Sequence, residues 1–364
     1  MPLQYGTVAF FISPHGFGHA ARACAVMEAL QGFELSISFE IFTLVPEWFF
    51  RESLTFPFSY HPVLTDIGLV QTTPLIEDVP ATITRLSQFL PFDEGFVDSL
   101  AALVSKIDCR CIVCDISPLG IVVAQKANIP SMLIENFTWD WIYEGYAKHS
   151  PRLRYFVGLM AGAFDAVDHH VMTQPFHDLR PADMIVEPVS RKPRMGRSAT
   201  RKALGIPENR PMVVVSMGGV GTKYDFIRPL ESRPDICFVI PGSTDTLRRM
   251  DNIILLPGRS NFYHPDLVNA SDATISKLGY STLAEVYNAG VPFGYIQRSQ
   301  FRESTVLAEF VASSMNGMNI TGEEFYSCEW LNRLDSLIGL GRRPPEPHGA
   351  PEKIAAYLGA VMKE

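Results

Sequence analysis

The sequence predicts an α/β chain of two Rossmann-like domains, each built on a parallel sheet, facing one another across a cleft. Three observations lead there. Short, continuously apolar runs alternate with helical stretches, the pattern of strands covered on both faces by crossover helices. The alternation stops at a basic stretch near residue 190 and then restarts. In both halves the first strand runs into a glycine-rich turn, Ser13–Ala20 in one and Ser216–Lys223 in the other. A length of 364 residues suits two domains. The expected division is 1–188 and 189–364, with a terminal helix near 350–362 packing back on the first domain.

Composition narrows the function. With 47% hydrophobic and 19% charged residues the chain buries a core and is not disordered. Lys+Arg 31 against Asp+Glu 39 gives 31 − 39 = −8, which argues against nucleic-acid binding through bulk charge. Six cysteines are too few for a disulfide scaffold. No secretory leader is expected, since Thr7–Ile12 already reads as a first strand, and no apolar run reaches the ~18 residues of a membrane span. The expected compartment is the cytoplasm, with peripheral membrane contact left open.

The elements follow in order. Strands are expected at Thr7–Ile12, Ser36–Leu44, Cys111–Ile116 and Ser131–Ile134, with helices at Ala20–Leu30, Leu86–Lys106 (interrupted near Pro91) and Ile121–Ala127. The stretch Arg191–Lys202 carries six basic residues with Pro193 and Gly196. It reads either as a solvated connector or as a patch for anionic lipid or a diphosphate. Beyond it, strands are expected at Met212–Ser216, Ile236–Ile240, Ile253–Leu256, Ala273–Ile275 and Phe293–Ile296, and helices at Thr282–Asn288 and Ala350–Met362. Trp48, Phe49 and Phe50 are either core or a membrane-facing group.

Four stretches carry chemistry. In the first loop, Gly16 and Gly18 allow a tight turn, and the following helix N-terminus suits an anion. A dinucleotide fingerprint is met only in relaxed form, through Ala21, and no acidic residue ends the second strand, so a nicotinamide enzyme is disfavoured. His15 and His19 lack the glutamate of a zinc motif, and no metal site is expected. At a helix N-terminus an imidazole stays neutral and can act as a general base; the alternative is a histidine that caps or packs. Asp115 ends a buried strand, where it either orients that histidine or caps the helix beginning at Pro118. Cys109, Cys111 and Cys114 read as packing, because a strand sends them to different faces. The loop Gly218-Gly219-Val220-Gly221-Thr222-Lys223 misses the Walker pattern but offers a nest of N–H groups for a diphosphate. Finally, Lys277-Leu278-Gly279-Tyr280-Ser281-Thr282 starts a helix in which Glu285 either closes a capping box with Thr282 or accepts the hydroxyls of a ribose. Arg298 and Glu303 follow the next strand.

Together these stretches resemble the GT-B nucleotide-sugar glycosyltransferases. Gly18-His19 is similar to their acceptor-loop Gly-His, and Asp115–Gly120 through Asn128-Ile129-Pro130 to their Asp segment. Gly218-Gly219, Gly279-Tyr280-Ser281-Thr282-xx-Glu285 and Gly290-Val291-Pro292 resemble their donor-site motifs. The likeness extends to the bacterial peptidoglycan N-acetylglucosaminyltransferase, to plant and microbial glucosyltransferases, and to the N-terminal part of plant arabinokinases. His15-Gly16-Phe17-Gly18-His19-Ala20-x-Arg22 is most like the last.

The resemblance implies His19 as base and Asp115 as its partner. His15, Gly16, Phe17, Gly18 and Asn136 fall on the acceptor side. Gly218, Gly219, Gly221, Thr222, Lys277, Gly279, Tyr280, Ser281 and Thr282 would serve the donor diphosphate, Glu285 its ribose, and Arg298 and Glu303 its sugar. Arg259-Ser260-Asn261-Phe262 stands where the glucosyltransferases carry a Trp-Gln pair, and their later Asp-Gln pair is absent. No two glutamates stand eight positions apart, as they do in retaining GT-B enzymes, so inversion is implied. The implied reaction moves sugar from a nucleotide diphosphate sugar to a small-molecule, glycan or lipid-linked acceptor, without metal or cofactor. The rivals are an epimerase of the same fold and a non-catalytic nucleotide or sugar binder, the latter expecting Asp115 turned away from His19.

Overall fold

The computed structural model describes residues 4–33, 36–73, 75–148, 150–178, 180–217, 227–345 and 349–363. Two compact units emerge: Met1–Val189 with His348–Glu364, and Ser190–Pro347. Gly218, Gly219, Gly221 and Thr222 lie outside the described residues.

The first unit opens with β1 (Gln4–Ile12), α1 (Gly18–Gln31), β2 (Ser36–Thr43), α2 (Glu47–Ser53) and β3 (Ser59–Pro62). A small ladder of β4 (Gln71–Thr73) and β5 (Ile76–Glu77) precedes α3 (Val79–Phe89) and α4 (Glu94–Lys106). Then come β6 (Cys109–Asp115), α5 (Pro118–Ala127), β7 (Ser131–Glu135), α6 (Trp139–Ala147), α7 (Leu153–Phe164), β8 (His169–Thr173) and β9 (Met184–Val186). The seven-stranded sheet has the order β3-β2-β1-β6-β7-β8-β9 and every pair is parallel. The chain therefore reverses direction across the sheet between β1 and β6. Ile12 lies in register with Asp115, which brings the two C-terminal strand ends level. In open parallel sheets that crevice is where ligands bind.

Alternation along β1 decides what packs where. Val8, Phe10 and Ile12 point into a buried cluster with Ala20, Ala23 and Met27 of α1. On the opposite face Phe11 meets α5, whose Gly120 comes so close that a Cβ there would lie 2.7 Å from Phe11 Cβ and 2.6 Å from Cys114 Sγ. Phe49 and Phe50 belong to the α1-side cluster and Trp48 packs against it, which removes the membrane-facing reading of these rings. All six cysteines are buried.

The second unit runs α8 (Arg197–Leu204), β10 (Met212–Ser216), α9 (Ile227–Glu231), β11 (Cys237–Thr244), β12 (Arg248–Met250), β13 (Ile253–Pro257), α10 (His264–Ala270), β14 (Ala273–Lys277) and α11 (Tyr280–Ala289). It continues with β15 (Phe293–Ile296), α12 (Glu303–Ser314), β16 (Gly317–Ile320), α13 (Gly322–Ser327), a 3-10 turn and α14 (Leu334–Gly339). Its seven strands are ordered β12-β13-β11-β10-β14-β15-β16, with only the short β12 antiparallel. Here the reversal lies between β10 and β14, with Ser216 in register with Ser276. The last helix, α15 (Ala350–Val361), belongs to the first unit.

The basic stretch is only in part a solvated connector: Lys192, Arg194 and Lys202 are exposed, whereas Arg191, Arg197 and Arg201 are engaged by the second unit. Arg197 Nη1 donates to the carbonyls of Ala270 and Ser271 at 2.9 and 2.8 Å, and its Nη2 to Asp272 at 2.5 Å. Arg201 is fully buried and donates to Ala270 O and Asp272. These side chains occupy the carbonyls left open at the C-terminus of α10, a position that favours cations. Among the described residues no helix is long and apolar enough to cross a membrane.

Candidate functional site

In the first unit the site grows from the end of β1. Gly16 takes φ +80°, which turns the chain sharply, and Phe17 stands at the N-cap of α1 with its ring stacked on Phe49. Gly18 and His19 then open the helix. The His19 ring is buried to within a tenth of its surface, and its Nδ1 lies 2.8 Å from Asp115 Oδ1. Asp115 is not the cap of α5: Ser117 is, accepting from Gly120 N–H at 3.3 Å. Between them Ile116 is held at φ 49°, a left-handed conformation costly for a β-branched residue, and such strain gathers at functional turns.

Arg22, one turn further along α1, is the residue that sequence reasoning missed. It is almost wholly buried and grips Asp115 twice, Nε to Oδ2 at 2.8 Å and Nη2 to Oδ1 at 2.6 Å. Its Nη1 donates to Asn136 Oδ1 at 2.8 Å and to Thr173 Oγ1 at 3.2 Å. One guanidinium thereby joins α1 to the ends of β6, β7 and β8. Burial alone would push the Asp115 carboxyl up; Arg22 and then His19 outweigh it and hold the group below the usual carboxylate range. Ionised, Asp115 only accepts, so His19 Nδ1 carries a hydrogen, and in the neutral ring the lone pair is then on Nε2. The arrangement is that of an oriented general base. His15 lies apart from this pair, edge-on to Trp139, with its Nδ1 accepting from Leu69 N–H at 3.4 Å.

In the second unit Lys277 ends β14, and Gly279 is the N-cap of α11 with open space where a Cβ would stand. Ser281 and Thr282 are half-buried in the first turn, beside the free N–H groups of the helix start. The Tyr280 ring sits in the apolar cluster with Leu278 and Leu283. The capping box is overturned. The helix begins at Tyr280, so Thr282 is its third residue, and no side chain caps it. The Glu285 carboxylate is instead held by Arg191 Nη2 at 2.9 Å and His264 Nδ1 at 2.6 Å. Burial would raise this carboxyl, but Arg191 and then His264 hold it below the usual range.

Tyr263 lies under two guanidiniums, Arg191 at 4.9 Å and Arg194 at 4.2 Å. Phe262 is half-buried against the neighbouring core. Arg298 and Glu303 are both buried, 3.9 Å apart, with Arg298 over the ring of Phe301.

Two doubly wound sheets in series, each with polar side chains gathered at its reversal point, define the GT-B fold of glycosyltransferases. Solved structures agree at low sequence identity. The spinosyn forosaminyltransferase SpnP superposes with TM-score 0.63 at 17% identity, over 99% of this chain and 100% of that one. A UDP-glucosyltransferase from Polygonum tinctorium that glucosylates indoxyl superposes with TM-score 0.63 at 12% identity, over 100% and 99%. In sequence the chain is 27% identical over 344 residues to an L-arabinokinase of Arabidopsis thaliana, covering 91% of itself and 32% of that protein. The chain thus spans about a third of the length of this relative. No family model matches.

Proposed function

We propose that the protein is a glycosyltransferase that moves a sugar from a nucleotide diphosphate sugar to an acceptor hydroxyl, with inversion and without a metal. The observation that carries this is the 2.8 Å pairing of His19 Nδ1 with Asp115, at the strand ends where a parallel sheet binds its ligand. The non-catalytic reading required Asp115 to face away from His19. His19 Nε2 takes the acceptor proton as the acceptor oxygen attacks the anomeric carbon. The bond to the diphosphate breaks, and its electron pair leaves on phosphate oxygen.

The second unit supplies the donor site. The first turn of α11, with Lys277, Ser281 and Thr282, offers positive potential to the diphosphate, and Gly218, Gly219, Gly221 and Thr222, which lie outside the described residues, are assigned to the same group. Glu285 keeps lone pairs beyond those used by Arg191 and His264 and is assigned to the ribose. Phe262 is assigned to the base end, and Arg298 with Glu303 to the sugar end. On the acceptor side, His15, Gly16, Phe17 and Gly18 form the entry loop, and Asn136 acts through its bond to Arg22.

The test separates binding from chemistry. A panel of nucleotide diphosphates and their sugars is screened by thermal shift, where a ligand at 100 times its Kd adds about 2.7 kcal/mol. His19→Ala is expected to keep the shift of the best donor and to lose turnover by about 10²–10⁴. Near-normal turnover of His19→Ala on a verified acceptor overturns the assignment.

A further inference from the structure

A His–Asp pair normally works because the carboxylate balances the charge that the imidazole gains. Here Arg22 alters that balance. Its guanidinium holds both oxygens of Asp115, and its Nη2 also stands 3.5 Å from His19 Nδ1. With Arg22 and Asp115 cancelling, proton uptake by His19 would leave a net positive charge in a nearly dry site, which is costly unless another anion is close.

One other carboxylate is packed into this site. Asp66 is completely buried and makes no ion pair among the described residues. Ser13 Oγ donates to its Oδ1 at 3.0 Å, while its Oδ2 is buried without a hydrogen bond. Ser13 ties it to the catalytic pair: the Ser13 N–H donates to Asp115 O at 3.2 Å, and its Oγ accepts from His15 N–H at 3.3 Å. The titratable groups that act on Asp66 or feel its charge are Asp115 from β6, whose carboxylate also pairs with His19, and Tyr143 from α6. Tyr143 gives its hydroxyl hydrogen to Gly68 O, and Arg22 is committed to Asp115. The indole of Trp139 favours the Asp66 anion without closing a hydrogen bond on it.

We propose that Asp66 is the counter-charge of this site: its carboxylate balances the positive charge that His19 acquires when it takes the acceptor's proton. The proposal rests on the glycosyltransferase reading and makes Asp66 a positioning residue of the reaction, acting through His19. Burial, and secondarily the charge of Asp115, push its carboxyl up to about 7, so its charge is available where the base works. A buried carboxylate with no cation is retained at a cost to the fold, which fits a group kept for function.

Two measurements test it. Carboxyl-carbon NMR should show Asp66 titrating near 7 in the wild type. The midpoint should rise by about one unit in His19→Gln, because linked groups shift one another reciprocally. Equal midpoints in the two proteins overturn the proposal. This arm needs no acceptor, so a failure to find transfer would count against the functional reading alone. On a verified donor and acceptor, Asp66→Asn should keep donor affinity. Its kcat should fall about tenfold for each pH unit of lost charge stabilisation, and the acid limb set by Asp66 should disappear. Ser13→Ala keeps the carboxyl but removes a hydrogen bond that favours the anion, so its acid limb should move to higher pH. A wild-type profile in both variants overturns the assignment.

Discussion

Asp66 makes the native state pH-sensitive in the direction opposite to a salt-bridged carboxylate. Burial pushes its carboxyl up to about 7, above the ordinary aspartate value of 3.8. The native state therefore favours the protonated form, and this contribution is full below the unfolded value and is lost as pH rises through 7. The difference corresponds to about 4 kcal/mol at most. Asp66→Asn is expected to gain stability relative to wild type between pH 5 and pH 8, read by urea unfolding at each pH. A gain that does not change with pH would show that Asp66 is not ionising in the fold. At this scale His19 and Asp115 were legible because one opens the helix after the first strand and the other ends a strand, positions visible in local sequence. Arg22 and Asp66 were not. Arg22 closes the quoted first-loop phrase but was given no role there, because its partners Asp115, Asn136 and Thr173 lie at the ends of three other strands. Asp66 follows no recognisable strand, and only the tertiary fold brings it to Ser13.

Among the elements, the continuously apolar strands were the readable ones. Met212–Ser216 and Phe293–Ile296 match the sequence expectation residue for residue, since nothing but a strand buried on both faces needs such runs. The edge strands β3, β9 and β16 were missed, because they are short and partly exposed and carry no apolar run. Strand β8 escaped for another reason: it begins His169-His170, and His170 is paired with the buried Glu135 at 3.0 Å. The expected helix at Leu86–Lys106 is two helices, α3 capped by Asp78 and α4 capped by Asp93. Helix endings also carry a prediction. Gly290 closes α11 at φ +67°, and a Cβ there would lie 2.3 Å from Arg343 O. Gly290→Ala must force a left-handed alanine and displace a backbone carbonyl, so a loss of about 1–3 kcal/mol is expected from chemical denaturation. Gly279→Ala meets nothing within 4 Å and should cost far less.

At the level of the whole molecule, alternation announced two parallel-sheet halves, but strand order could not be read from it, because pairing joins segments far apart in the chain. The sequence also left the basic stretch 191–202 ambiguous, since the acceptors of its arginines lie about seventy positions later. The largest non-local commitment is α15. Ile354, Ala355, Leu358 and Val361 complete the cluster that α1 presents, Tyr357 hydroxyl meets His169 Nδ1 at 2.8 Å, and Lys353 meets Glu187 at 2.8 Å. At about 1.5–3 kcal/mol for each large buried aliphatic side chain, losing this helix removes several kcal/mol from a margin of about 5–15. Deletion of 350–364 is expected to leave the first unit aggregated or molten, with protease cutting concentrated before residue 190. A soluble truncation with an unchanged unfolding curve would contradict it. The same connectivity sets an order of events on the ribosome. The second unit is one continuous stretch, Ser190–Pro347, and can close on itself as soon as it has emerged. The first unit begins synthesis earlier yet closes later, with the apolar side of α1 uncovered until α15 has left the exit tunnel. Emergence of Ala350–Val361, more than translation of the opening half, is the moment at which His19 and its neighbours acquire a finished scaffold.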